Sequence, residues 1–422
     1  MLPRVLSFFV AVLAVLTLSS PSAAQEISAC GAVIDAPGAY YLSADLFQPY
    51  SYDAGLCINI SASNVLLDGR GHSITCDREA AIYATGGNVT IRNLSVYGCG
   101  FNEVSPAGVA LSGSASALSV SRLVNSTLTL GGNGTVLTDS ELIDTPLNVV
   151  VDDYLYPYST ITGVRVLNNT IRETWIFNGT SFLPDPLPPP WLGLIALSYV
   201  RDSVVSGNTV ECTSAVPGIS IEASSGVEVS NNTISGCYVG IVVVAEAPSS
   251  NNLIAGNVIF ATGGGILMRW EDANVVRGNT INASLGIGLM ESWNNTIAGN
   301  LIWGVTGIAL SYSDGNLIYG NLFNTSGEGA WVSNSSSIWN TSTGGNYWGT
   351  PSGDGYSDVC GDANGDSICD APYVIDASNI DYQPLASPPV AMPEFPAGGT
   401  LALLSSAALL GMLRRRSFLL RG

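Results

Sequence analysis

The chain of 422 residues contains no lysine, a single histidine and few charges of either sign, 11% in all. Its 14 arginines face 33 acidic residues, for a net charge of −19. A surface of that sign repels nucleic acid and anionic polymers and favours cations, which excludes nucleic-acid binding. The same acidity also fits a general adaptation to salt. His72 stands in Leu67-Asp68-Gly69-Arg70-Gly71-His72, where an apolar-flanked turn makes it a turn residue rather than a catalyst or ligand. No Cys-x-x-Cys occurs, so thiol metal sites are set aside. The body of the chain has no stretch with the length and 3.6-residue period of an amphipathic helix. The Leu-x-x-Leu-x-Leu spacing of leucine-rich repeats is absent too.

What is present is a repeat. GISIEASSGVEVSNNTISG, GIVVVAEAPSSNNLIAGNVI, GILMRWEDANVVRGNTI, GIGLMESWNNTIAGNLI and GIALSYSDGNLIYGNLF are variations on one phrase. Its anchoring asparagines, Asn208, Asn232, Asn257, Asn279, Asn300 and Asn321, are spaced 24, 25, 22, 21 and 21 residues apart. Within each unit short apolar alternations are punctuated by Gly and Asn, which reads as about three short strands. Such strands bury their apolar face only when each turn of chain pairs with the turns above and below. The fold class expected is therefore all-β: a single-stranded right-handed parallel β-helix, a solenoid of roughly a dozen coils. The recurring asparagines are expected to stack as an amide ladder. Weaker copies of the pattern extend it over residues 58–345, after an N-terminal cap at 25–57. Residues 152–158 and the proline-rich 177–191 read as loops outside the stack, since proline cannot join an interior ladder. The acidic pair Asp152-Asp153 in the first of them reads as solvated.

Both ends carry export signals. Residues 1–24 have the pattern of a signal peptide: Arg4, an apolar run, then Ser22-Ala23-Ala24 as the cleavage site. At the other end a Pro-rich linker at 387–396 contains Pro393-Glu394-Phe395-Pro396, and 397–422 is an apolar stretch closed by Arg414-Arg415-Arg416. The apolar stretch is short for a span, though its arginines suit the positive-inside rule. This tail resembles the PEF-CTERM sorting signal of archaeal surface proteins, which implies processing by an archaeosortase. An ordinary membrane anchor gives the same location, a secreted protein held at the cell surface. With both ends removed, nine arginines remain against 33 acidic residues, a body near −24.

Eight cysteines in an exported chain argue for four disulfides. Cys212 and Cys237 are 25 apart and Cys76 and Cys99 are 23 apart. One coil separates each pair, which places their strands about 5 Å apart, within bridging range. Cys30 with Cys57 then staples the N-terminal cap, and Cys360 with Cys369 clips a C-terminal loop. About thirteen Asn-x-Ser/Thr sequons, among them Asn59, Asn88, Asn125, Asn282 and Asn340, allow glycosylation. Those inside the ladder, such as Asn231, are expected to escape modification, because their amides should be occupied.

Two places suit chemistry. In the C-terminal cap at 346–386, Asp362, Asn364, Asp366, Ile368 (through its carbonyl) and Asp370 alternate around a glycine, as a structural calcium site requires. Asp354, Asp358 and Asp376 flank it. The loop departs from an EF-hand, with Ser367 in place of the glycine and Tyr373 in place of the final Glu, and resembles the aspartate loops of thrombospondin type 3 repeats. The alternative is a solvated acidic turn held by its disulfide. The second place is a stripe. Aligning coils on Gly265, Gly286 and Gly307 sets Trp270, Glu291 and Tyr312 in register, with Asp272, Trp293 and Asp314 two residues on and Glu271 between. Aromatics beside carboxylates at coil spacing suit stacking on a sugar chain, with Trp270, Trp293 and Tyr312 as the ligand-binding residues. Glu271, Asp272, Glu291 and Asp314 are the candidates if the stripe cleaves a glycosidic bond. Plain corner packing and solvation is the third reading.

The opening segment Cys30-Gly31-Ala32-Val33-Ile34-Asp35-Ala36-Pro37-Gly38-Ala39-Tyr40-Tyr41-Leu42 leads on to Asn64-Val65-Leu66-Leu67-Asp68-Gly69-Arg70-Gly71-His72. Far downstream stand Gly345-Asn346-Tyr347-Trp348-Gly349, the aspartate loop and Ala371-Pro372-Tyr373-Val374-Ile375-Asp376. Together they resemble archaeal surface proteins with NosD-like right-handed parallel β-helix repeats. The resemblance implies the fold, and through the NosD name it implies copper maturation. One His, five Met and paired cysteines supply few ligands for copper. β-Helices also include polygalacturonases and pectate lyases. Of the N-T-D, D-D, G-H-G and R-I-K motifs of the former only Asp152-Asp153 is present, and Arg269 and Arg277 are the candidates for a lyase base. The function expected is a structural, adhesive or carbohydrate-binding role among extracellular glycans and envelope components, with a polysaccharide lyase or glycoside hydrolase as the alternative.

Overall fold

The computed structural model describes residues 23–51, 55–100, 107–150, 160–174, 193–213 and 215–389. The loops expected at 152–158 and 177–191, most of the leader, and the sorting motif and tail beyond 389 lie outside the described residues.

Three-residue strands separated by tight corners carry the chain through about twelve turns of a right-handed parallel β-helix. One wall is a sheet of 13 strands, from Gln25–Ile27 to Leu317–Tyr319, in which each strand pairs in parallel with its counterpart one turn later. The other walls form a second sheet of 24 strands. From residue 239 onward these walls merge into long strands, Val239–Ser250, Gly264–Asp272, Thr280–Met290 and Leu301–Ser311. Parallel pairing begins at Gln25, ahead of the repeats legible in the sequence.

A three-residue strand sends its central side chain inward, and register stacks those side chains. Ile91, Leu118, Leu137, Val166, Val205, Val229, Ile254, Val276, Ile297 and Ile318 form one such column, every member fully buried. Each buried aliphatic is worth roughly 1.5–3 kcal/mol, a gain the isolated strand cannot collect.

The expected asparagine ladder is continuous from Asn169 to Asn346. Each Nδ2 donates to the Oδ1 one turn later at 2.9–3.0 Å, through Asn208, Asn232, Asn257, Asn279, Asn300 and Asn321. The second Nδ2 hydrogen of Asn232 goes to the Val205 carbonyl at 2.9 Å, so the buried amide is fully used. A second ladder, Asn252, Asn274, Asn295 and Asn316, lies five residues ahead of the first. Asn231, expected inside the ladder with its amide occupied and therefore unmodified, is instead exposed at the corner, because the stacking position is Asn232.

The C-terminal cap closes both ladders. Asp381 Oδ2 accepts from the backbone N–H of Asn346 at 2.7 Å and from Trp348 Nε1 at 2.9 Å. Asn379 Oδ1 accepts from the Ser337 N–H and from Trp339 Nε1, both at 3.0 Å. Trp348 stacks between Phe323 and Tyr373 at ring-centre distances of 4.8 and 4.5 Å, covering the open end of the core. The four disulfides join Cys30–Cys57, Cys76–Cys99, Cys212–Cys237 and Cys360–Cys369, the pairs the spacing suggested. They mark a chain exported to an oxidising compartment. Among the described residues no helix is long and apolar enough to cross a membrane.

Candidate functional site

The long strands set the stripe in register: Arg269 lies beside Met290, Met290 beside Ser311 and Ser311 beside Ser333. The next residues, Trp270, Glu291, Tyr312 and Asn334, all turn the corner with φ between 49° and 57°. Left-handed backbone costs a bulky L-residue roughly 1–2 kcal/mol. The stack tolerates it because the residue that follows is bonded inside.

That following position is a serine column. The N–H of Glu271 bonds Ser292 Oγ, that of Ser292 bonds Ser313 Oγ, and that of Ser313 bonds Ser335 Oγ, at 3.2, 3.1 and 2.9 Å. Glu271 therefore occupies an interior serine position and is completely buried. This corrects its assignment to the stripe: the carboxyl faces the core, not solvent. Its Oε2 accepts from Asn274 Nδ2 at 3.1 Å, and Oε1 has no hydrogen-bond partner among the described residues. Burial pushes the carboxyl up to about 8, so it is largely neutral at pH 7.

The other stripe carboxylates are engaged in the corner itself. Glu291 accepts from Trp270 Nε1 at 2.8 Å. Asp272 accepts from the Trp293 N–H at 3.0 Å, and Asp314 from the Ser336 N–H at 2.8 Å. Trp270 is covered as well, with the Arg269 guanidinium 3.8 Å above its ring. Trp293 and Tyr312 remain open, 36% and 58% exposed.

Beside the stripe runs a shallow apolar trough that the sequence reading missed. Its floor is the outward column Val242, Leu267, Gly288, Ala309 and Trp331. Gly288 and Ala309 present almost no side chain, so a hollow forms between Leu267 and Trp331, with Arg269 and Met290 at its edge. The signal was the third letter of each repeat phrase, which changes from Leu in GILM to Gly in GIGL and Ala in GIAL.

A polar groove lies on the N-terminal half, lined by Asp68, Arg70, Arg122, Asp139 and Glu141. Arg92 pairs with Asp68 and Arg122 with Glu141, both at 2.9 Å, while Arg70 lies 3.5 Å over the Tyr41 ring. His72 follows the Arg70–Gly71 turn, as expected, with its N–H bonded to the Gly69 carbonyl at 2.8 Å and its ring 3.4 Å from Asp45.

In the aspartate loop the carboxylates bond their own backbone. Asp362 accepts from the N–H groups of Gly365, Asp366 and Ser367, and Asp366 from that of Ile368. Asp370 accepts from the Ala363 N–H at 3.0 Å. Asp358 is turned away to Tyr347 and the Gly355 N–H, and Asp376 to Asn379. Asn364 donates to Asp366. Among the described residues no three His, Cys, Asp or Glu side chains gather as a metal site.

Residues 193–353, under half of the chain, match the family described as periplasmic copper-binding protein (NosD). The chain thus carries NosD-like parallel β-helix repeats. The copper implied by that description does not fit these residues. The matched region has no histidine, its two cysteines form a disulfide, and its methionines are the buried Met268 and the half-buried Met290. Among curated proteins none matches. Among solved structures the chain is similar to the A-module of the Azotobacter vinelandii mannuronan C-5 epimerase AlgE6, with 16% identity and TM-score 0.48 over 72% of this chain and 91% of that one. It is similar to the catalytic unit of a thermostable α-1,3-glucanase from Streptomyces thermodiastaticus, with 17% identity and TM-score 0.48 over 74% and 60%. It is also similar to the Dettilon tailspike protein, with 17% identity and TM-score 0.43 over 68% and 62%. The chain spans less than two thirds of the length of the glucanase and of the tailspike.

Proposed function

We propose that this exported β-helix binds extended extracellular glycans without cleaving them, on the face formed by Trp293, Tyr312 and the adjoining trough. The observation that carries the reading is an apolar hollow whose edge residues Met290 and Ser311 lead directly into a corner bearing two open aromatic rings, Tyr312 at the corner and Trp293 just past it, while every carboxylate nearby is already engaged or buried. Aromatic faces stack on sugar rings, and a shallow trough admits a chain where an enclosed pocket admits only its end. General acid catalysis needs a carboxyl facing the substrate, and Glu271, the one with the strongly raised affinity for protons, faces the core. In this reading the apolar tail and arginine cluster tether the protein at the cell surface, and the aspartate loop takes calcium as a structural ion. Its support is the alternation of oxygen donors within a disulfide-clipped turn.

A polysaccharide-cleaving enzyme is the second reading, favoured by the polar groove where Asp139 and Glu141 lie with Arg70 and Arg122. One experiment separates the two. The secreted chain is screened on a glycan array with calcium and with chelator, and released sugars are assayed in the same wells. Binding without release is expected. Release that disappears in an Asp139→Asn, Glu141→Gln variant assigns the groove as catalytic and refutes the non-catalytic reading.

A further inference from the structure

Twelve of the Asn-x-Ser/Thr sequons fall within described residues, and the fold sorts them. A glycan on the asparagine of a folded chain requires an amide nitrogen that is not donating. It also requires a position off the sheets and a hydroxyl, two residues on, that faces outward. Asn88 and Asn93 fail the first condition, donating Nδ2 to Asn64 and Asp68 at 2.8 and 3.1 Å, and Asn340 donates to the Thr341 carbonyl at 3.3 Å. Asn59, Asn282 and Asn324 lie within strands. Asn125 and Asn133 have buried hydroxyl partners, Thr127 and Thr135.

Four sequons meet all three conditions: Asn168, Asn231, Asn294 and Asn334. Each asparagine is exposed at a corner with φ of 50° to 56°. Among the described residues nothing accepts a hydrogen bond from their side-chain nitrogens. In three of them the oxygen branch of the amide is accounted for. Oδ1 of Asn168, Asn231 and Asn294 lies so close to Gly207, Gly256 and Gly315 one turn later that a Cβ there would be 2.5, 2.8 and 2.7 Å away. Oδ1 is thus directed along the stack, and Nδ2 is the remaining branch.

The Asn-Asn-Thr sequons follow from the fold itself. The first asparagine turns the corner, the second (Asn169, Asn232 or Asn295) enters a ladder, and the threonine (Thr170, Thr233 or Thr296) opens the next strand facing outward.

We propose that Asn168, Asn231, Asn294 and Asn334 are N-glycosylation sites, modified during export by a membrane transferase using a polyprenyl-diphosphate-linked oligosaccharide. In that reaction Nδ2 attacks the anomeric carbon, so a C–N bond forms as the C–O bond to the diphosphate breaks. The lipid diphosphate leaves with the electron pair, and the amide proton passes to a base of the transferase. Asn232, the ladder member beside Asn231, is no acceptor: Ile234 stands where the hydroxyl is needed, and both of its Nδ2 hydrogens are committed, at 3.0 Å to Asn257 and 2.9 Å to Val205.

The test is site-resolved occupancy. The full chain is secreted from cells with N-glycosylation machinery, and its glycans are released enzymatically in heavy-oxygen water before peptide mass spectrometry. Majority occupancy is expected at the four sites, with little at Asn88, Asn93 or Asn282. Thr170→Ala, Thr233→Ala, Thr296→Ala and Ser336→Ala should each remove one glycan mass from the secreted protein. Thr233→Ser keeps the acceptor and should keep the glycan, which separates loss of the sequon from loss of folding. Secretion with the four sites bare, while a control glycoprotein from the same cells carries its glycans, overturns the proposal. So does comparable occupancy at Asn88, Asn93 and Asn282.

Discussion

Glu271 makes stability depend on pH in a direction opposite to that of a salt-bridged carboxylate. Its folded value is about 8 against 4.5 for the free side chain, because burial disfavours the anion. Below about pH 4.5 both folded and unfolded states hold the proton, and the group costs nothing. Between 4.5 and 8 the unfolded chain releases its proton while the folded one retains it, so stability falls as pH rises. Above 8 both are ionised and the loss is complete. A shift of this size corresponds to roughly 5 kcal/mol across the window, and to roughly 3 kcal/mol by pH 7. For the described body, with an unfolding entropy of about 2.1 cal/mol/K per residue, the full loss lowers Tm by about 7 °C. The perturbation is Glu271→Gln, which keeps the shape and removes the titration. Thermal unfolding of both proteins is followed by circular dichroism from pH 5 to pH 9. The wild type should lose several degrees relative to the variant, with the difference growing toward pH 8. Asp381, also pushed up by burial, changes both proteins alike and cancels in the difference. A difference that stays constant across the range refutes the assignment of Glu271 as an interior acid.

Asn279→Ala removes the acceptor for both the N–H and Nδ2 of Asn257 and leaves buried donors unpaired. A loss of about 2–4 kcal/mol is expected in urea unfolding, whereas Asn294→Ala at the corner should cost under about 1 kcal/mol. Trp293→Ala and Tyr312→Ala should each weaken glycan binding about tenfold, near 1.4 kcal/mol, without lowering Tm. Trp270→Ala, which breaks the contacts to Glu291 and Arg269, should lower Tm instead. Calorimetric titration with calcium should give a single saturable heat that Asp362→Asn and Asp366→Asn abolish. A flat titration of the wild type rejects the ion.

Much of the architecture was legible because a solenoid repeats itself by translation. Once the period is known, residues one period apart are neighbours in space, which is why the asparagine ladder and the coil-to-coil disulfides Cys76–Cys99 and Cys212–Cys237 could be read from spacing. The second ladder was equally legible, since Asn252, Asn274, Asn295 and Asn316 each precede a ladder asparagine by five residues. The serines at positions 249, 292, 313 and 335 likewise mark the column into which Glu271 falls.

The stripe shows where reading by register stops. Alignment placed Trp270, Glu291 and Tyr312 together correctly, but it could not say that the next residue turns inward. Pointing in or out at a corner depends on a single backbone step, and one step reverses a side chain completely. Covering Trp270 with Arg269, emptying the wall at Gly288 and Ala309, and closing the ladders with Asn379 and Asp381 depend on side chains meeting across coils or from a cap some 35 to 40 residues away. The sequence by itself therefore determined the period, the ladder and the disulfides that join neighbouring coils, all of which follow from repetition along one axis. Tertiary structure decided which groups face solvent, because that is set by the three-dimensional path of each corner and by whatever packs against it.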